Sequence, residues 1–63
     1  MNKPENLIWD SIYHGAIKSG ATEKAANDQA VMGTDDYKRG KIPKPGGVSK
    51  LVKNRINLAK KQK

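Results

Sequence analysis

A chain of 63 residues with no cysteine and a single histidine has room for one small domain; disulfides are excluded as staples, and a structural zinc site is not expected. Its net charge of +7, from 13 lysines and arginines against six acids, points to a polyanionic partner. No apolar run approaches the roughly 20 residues of a membrane span, and residues 1–18 hold no signal-peptide core, so a cytoplasmic protein is expected, in a host cell or in a virion if the chain is phage-encoded.

The first predicted element is a helix over residues 4–19. Pro4 suits a first helical position, and Glu5 lies near the positive end of the helix dipole. Ile8, Ile12 and Ala16 recur every four residues beside a second row of Trp9, Tyr13 and Ile17, which gives a broad apolar face. Gly20 is the natural stop.

A second helix is predicted after Thr22, an N-cap residue, with Glu23 in its first turn. Ala26, Ala30, Gly33 and Tyr37 share one face, and their small size permits close approach of the first helix. Gly33 weakens the helix by up to about 1 kcal/mol, so a stop there, with a new turn from Thr34, Asp35 and Asp36, is an alternative; Gly40 closes the segment either way. Residues 41–47, Lys-Ile-Pro-Lys-Pro-Gly-Gly, read as a linker.

The last predicted element is a basic helix over residues 50–61 with Ser49 as its N-cap. Val52, Ile56 and Ala59 stand at i, i+4, i+7, with Leu51, Arg55 and Leu58 nearby. Alone in water a helix of about 12 residues is marginal. Its order therefore depends on packing against the first two helices or on a partner. The expected fold class is all-α: a helical hairpin body over residues 1–40, then a Pro/Gly linker and a basic C-terminal helix or partly disordered arm over 41–63.

Charge follows the same division. Residues 1–40 carry five cations and six acids, whereas residues 41–63 carry eight cations and no acid. The polyanion-binding set expected from this is Lys38, Arg39, Lys41, Lys44, Lys50, Lys53, Arg55, Lys60, Lys61 and Lys63. Phosphate neutralisation would supply most of the affinity, with little sequence preference.

Other candidate sites carry less. Asp10 and His14, at i, i+4, are the chain's one helical acid–base pair, and a solvated surface pair is the expected reading. Asp35 and Asp36 lack the offsets of a calcium loop. Gly46-Gly47-Val48-Ser49-Lys50 has neither the spacing nor the preceding strand of a P-loop. Trp9 and Tyr13 could stack on bases, but beside Ile12 and Ile17 they read as core.

Two short resemblances can be named. Lys38-Arg39-Gly40-Lys41-Ile42-Pro43-Lys44-Pro45 resembles an AT-hook, with Lys41 at the second arginine and Ile42 inserted before the proline; it implies phosphate contact. Ile12-Tyr13, Ala16, Ser19, Ala25-Ala26 and Tyr37-Lys38 resemble the two helices of the ChaB family of small helical proteins over about half the chain. That family's second-helix tryptophan and Gly-Lys-Trp ending are absent, and the resemblance implies helices but no site.

The expected function is thus that of a small non-enzymatic basic protein without cofactor or metal, binding nucleic acid, DNA or RNA, and phage-encoded or virion-associated in one version. The alternative is a protein-binding module, an inhibitor or assembly protein, that docks Leu51, Val52, Ile56 and Ala59 on an acidic partner. A membrane surface is disfavoured, because only Leu51, Val52, Ile56 and Leu58 could insert. Oligomerisation is left open.

Overall fold

The computed structural model describes the backbone of residues 4–62 and the side chains of residues 7–62. The roles read for the Glu5 and Lys63 side chains lie outside the described residues. Three helices follow in order, α1 (Pro4–Lys18), α2 (Glu23–Lys38) and α3 (Gly47–Lys61), with no strand among the described residues.

Local chemistry sets most of the helix ends. α1 closes on Gly20 at φ 99°, where Gly20 N–H donates to Ile17 C=O (3.0 Å) and Ala21 N–H to Ala16 C=O (3.0 Å). These are the paired bonds of a Schellman motif, and they satisfy carbonyls the helix leaves unpaired. α2 ends in the same way on Gly40 at φ 77°, with Gly40 N–H to Tyr37 C=O (3.1 Å) and Lys41 N–H to Asp36 C=O (2.8 Å). At its start the Thr22 hydroxyl accepts from Ala25 N–H at 3.1 Å.

One alternative falls away and one expected boundary moves. α2 runs unbroken through Gly33 to Lys38. Gly33 is buried where α1 crosses, and a Cβ there would overlap Ile12 Cδ1, so the residue that weakens the helix is also the one that lets α1 seat. Packing outweighs a propensity cost of about 1 kcal/mol. α3 starts at Gly47 rather than residue 50, and its N-cap is Gly46 at φ 115°, not Ser49. Gly46 takes a left-handed conformation that lets the chain leave the Pro43–Pro45 segment directly into the helix, with Gly47 N–H bonded to Pro43 C=O at 3.0 Å. Ser49 falls inside the first turn.

The three helices share one core, built in two clusters. Ile8, Ile12, Ala30 and Leu51 form the bulkier one, flanked by Trp9, Tyr13, Tyr37, Ile42 and Val52. Ala16, Ala25, Ala26 and Ala59 form the other, with Tyr13 and Ala21 against it. The first joins the early part of α1, the later part of α2 and the start of α3; the second joins the opposite ends. α2 is therefore antiparallel to both neighbours. Five of the eight buried apolar residues are alanines, and Ile12 is the one large side chain fully buried among the described residues. Small residues substitute close helix approach for bulk. Ile12 fits over Gly33, and Ile56 of α3 fits over Gly15 of α1.

Residues 47–61 are thus part of the packed unit, and the division at residue 40 is one of charge rather than of packing. The radius of gyration, 10.6 Å, equals the roughly 10.6 Å expected of a compact chain this long.

Candidate nucleic-acid interface

The orientation of α3 follows from which of its residues the other helices accept. Leu51 and Ala59 are buried, while Val52, Arg55 and Ile56 are half-buried beside them. The face expected to receive a protein partner, Leu51, Val52, Ile56 and Ala59, is therefore spent on α1 and α2. The reason is size: a hairpin lined by alanine and glycine cannot cover its own apolar face, and α3 supplies the missing surface. Val48 and Leu58 remain the exposed large apolar residues of α3.

Arg55 also leaves the expected binding set. Its Nη2 donates to Asp36 Oδ2 at 2.5 Å and its Nη1 to Gln29 Oε1 at 3.0 Å. Gln29 Nε2 donates onward to Gln62 Oε1 at 3.2 Å, and Gln62 Nε2 to Asp28 Oδ2 at 3.0 Å. This chain of bonds joins the Asp28–Asp36 stretch of α2 to Arg55 of α3 and to its C-cap residue, Gln62. Gln29, the buried polar residue of the core, is satisfied by it on both amide atoms. The Arg55–Asp36 side chains are only 21% and 23% exposed, so their charges are partly removed from water and bound to each other.

Arg39 pairs with Asp35 at 3.0 Å, but both are more than half exposed, and such a pair yields readily to a better anion. Residues 38 and 39 form the end of α2 and its C-cap. The Lys38–Pro45 segment is accordingly not the extended strand of an AT-hook.

Lys50, Lys53, Lys60 and Lys61 are exposed along the outer side of α3, and Lys38, Lys41 and Lys44 are exposed at the end of α2 and in the connection that follows. None of these lysines is in an ion pair among the described residues. Lys60 and Lys61 sit in the last turn, where the helix dipole favours cations. Gly46, Ser49, Lys50, Lys53, Asn54 and Asn57 line one open depression of about 380 Å³. Asn54 and Asn57 were not in the expected set. With Leu51 and Ala59 pointing inward, the 100° helical step turns Asn57 away from both and leaves Asn54 on the flank beyond Leu51, where it is exposed, so the signal was present once the inward face was known.

The other candidates separate from this surface. Trp9 and Tyr13 stack on each other, with centroids 4.9 Å apart and planes at 11°, half-buried against the core. His14 is exposed and meets the edge of Tyr13 at 5.5 Å; it makes no ion pair with Asp10. Asp35 and Asp36 are engaged by Arg39 and Arg55 respectively, and the described residues hold no cluster of three or more metal-ligating side chains. No helix among the described residues is long and apolar enough to cross a membrane. The chain matches no known family, no curated protein and no solved structure.

Proposed function

We propose that this chain is a non-catalytic binding protein that holds nucleic acid by its phosphates along the outer side of α3. One observation carries the reading. Lys50, Lys53, Lys60 and Lys61 stand exposed on a helix without an acid, while the α2 carboxylates facing α3, Asp28 and Asp36, are already taken by Gln62 and Arg55. α3 itself therefore contributes only positive charge to its outer side, with Asp36 neutralised by Arg55, while Asp28 on α2 keeps its charge and is hydrogen-bonded by the neutral Gln62 amide. Lys38, Lys41 and Lys44 extend the positive surface beyond the helix. Docking of α3 on an acidic protein groove is the weaker reading, because its apolar anchors Leu51 and Ala59 are buried within the bundle.

The test is binding to a duplex oligonucleotide by fluorescence anisotropy between 50 and 200 mM salt, for wild type and for Lys50→Ala/Lys53→Ala/Lys60→Ala/Lys61→Ala. Each phosphate contact contributes about 0.9 to the slope of log K against log salt, so losing four flattens it by up to about 3.6. An unchanged slope in the quadruple variant, with its helical spectrum intact, would refute the assignment.

A further inference from the structure

Charge accounts for attachment to any polyanion, but it leaves two neutral side chains on the same face without a role. Lys50, Asn54, Asn57 and Lys61 recur at i, i+4, i+7, i+11, which makes one exposed stripe along α3, turned away from Ala59 and bordering Leu51 at Asn54. Lys53 and Lys60, seven residues apart, run along one edge of it. Asn54 and Asn57 are exposed, line the same depression as Lys50 and Lys53, and make no side-chain hydrogen bond among the described residues. The amides on the inner side of the α2–α3 layer behave differently: Gln29 and Gln62 are both committed to the network around Arg55. The outer stripe thus presents short, uncommitted amides at its middle and long cations at its ends and edge.

We infer that this stripe enters the major groove of duplex DNA, where Asn54 and Asn57 read adenine while the lysines hold the flanking phosphates. The inference rests on the nucleic-acid reading above and goes beyond it, because phosphate contact alone carries no sequence information. A carboxamide offers a donor and an acceptor in one plane, which matches N7 and N6–H of adenine in the major groove. Short side chains suit the groove floor, and lysines suit its walls.

Size and composition choose the ligand. α3 has 15 residues, so it is about 22 Å long and about 10–12 Å across with side chains, and a B-form major groove about 12 Å wide admits it. The major groove of A-form RNA is too narrow for such a helix. Single strands are held by aromatic platforms. The outer side of α3 has none, since the tryptophan and both tyrosines lie on α1 and α2, packed against the core.

The experiment selects bound duplexes from a random-sequence DNA pool with the full chain. Affinities are then compared for the selected duplex, a scrambled duplex of equal length, the selected single strand and the matching RNA duplex. The expected result is an enriched site containing adenine and a preference of at least about 10-fold over the scrambled duplex, the range of one or two good base contacts. Asn54→Ala and Asn57→Ala should each reduce binding to the selected duplex by about 5–10-fold or more, with binding to the scrambled duplex and the salt slope unchanged. Both positions are exposed and alanine favours helix, so loss of fold does not confuse the result. Equal affinity for selected and scrambled duplexes, with salt-dependent binding intact, would overturn base reading and leave phosphate binding standing. Preference for RNA or for the single strand would overturn the duplex assignment, and no binding to any nucleic acid would overturn both readings.

Discussion

Gly33→Ala is the substitution on which helix propensity and packing make opposite predictions. By propensity alone it stabilises α2 by about 0.8–1.0 kcal/mol, because glycine is that much worse than alanine inside a helix. In the bundle the new Cβ would overlap Ile12 Cδ1 and stand 3.1 Å from Arg55 Cγ. Neither neighbour can yield cheaply, since Ile12 is 0% exposed and Arg55 is held by Asp36 and Gln29. Overpacking of this kind costs about 1–3 kcal/mol, and displacement of Arg55 adds to it. The net expectation is a loss of about 1–2 kcal/mol, hence a Tm lower by roughly 4–16 °C for so small a domain. Gly15→Ala is the control. Its Cβ also meets one side chain, Ile56, but Ile56 is half-buried and can rotate outward, so the propensity gain roughly offsets the strain. Thermal melts followed by far-UV circular dichroism measure both. If Gly33→Ala leaves Tm as little changed as Gly15→Ala, or raises it, α1 and α2 do not meet at Gly33 and the packing described above is wrong.

Further outcomes follow from the same contacts. A double-mutant cycle on Arg55→Ala and Asp36→Ala should give a coupling of about 1–2 kcal/mol in urea denaturation, against less than about 0.5 for Arg39 and Asp35. Equal couplings would contradict the difference in burial. Ile12→Asp should abolish the cooperative thermal transition, because a carboxylate placed in the fully buried Ile12 site, the one large such site among the described residues, would be unpaired; a wild-type melt would refute the core. A chain ending at residue 46 should lose cooperative melting as well as polyanion binding, since Leu51 and Ala59 complete both core clusters; a stable truncated hairpin would show α3 to be dispensable for folding. His14→Ala should leave both stability and nucleic-acid affinity within error, since the imidazole is exposed and lies on α1 rather than α3. A large loss of function would reopen the Asp10–His14 pair as a site.

Much of this fold is written in local sequence. Thr22 caps α2 with its own hydroxyl, and Gly20 and Gly40 end helices because they reach positive φ without a Cβ penalty. The four-residue recurrence of Ile8, Ile12 and Ala16 needs no information beyond a helical period to mark an inward row, and all three are buried. The acid-free charge of residues 41–63 is likewise a property of the chain, not of its folding.

Tertiary structure decided the use of those residues. Arg55 is one cation among eight in the C-terminal segment until Asp36 and Gln29, 19 and 26 residues away, remove it from the outer surface. Gly33 reads as a helix breaker until Ile12 occupies the space its missing side chain leaves. Val52, Ile56 and Ala59 suit a partner's groove as well as they suit the protein's own hairpin, and only the seating of Ile56 over Gly15 and of Leu51 against Ile8, Ile12 and Ala30 turns that face inward. Asn54 and Asn57 become outward by the same rotation. Periodicity specifies that a helix has two faces, whereas the choice of which one meets water is made by the surface it packs against, and that surface is assembled from residues distant in the chain.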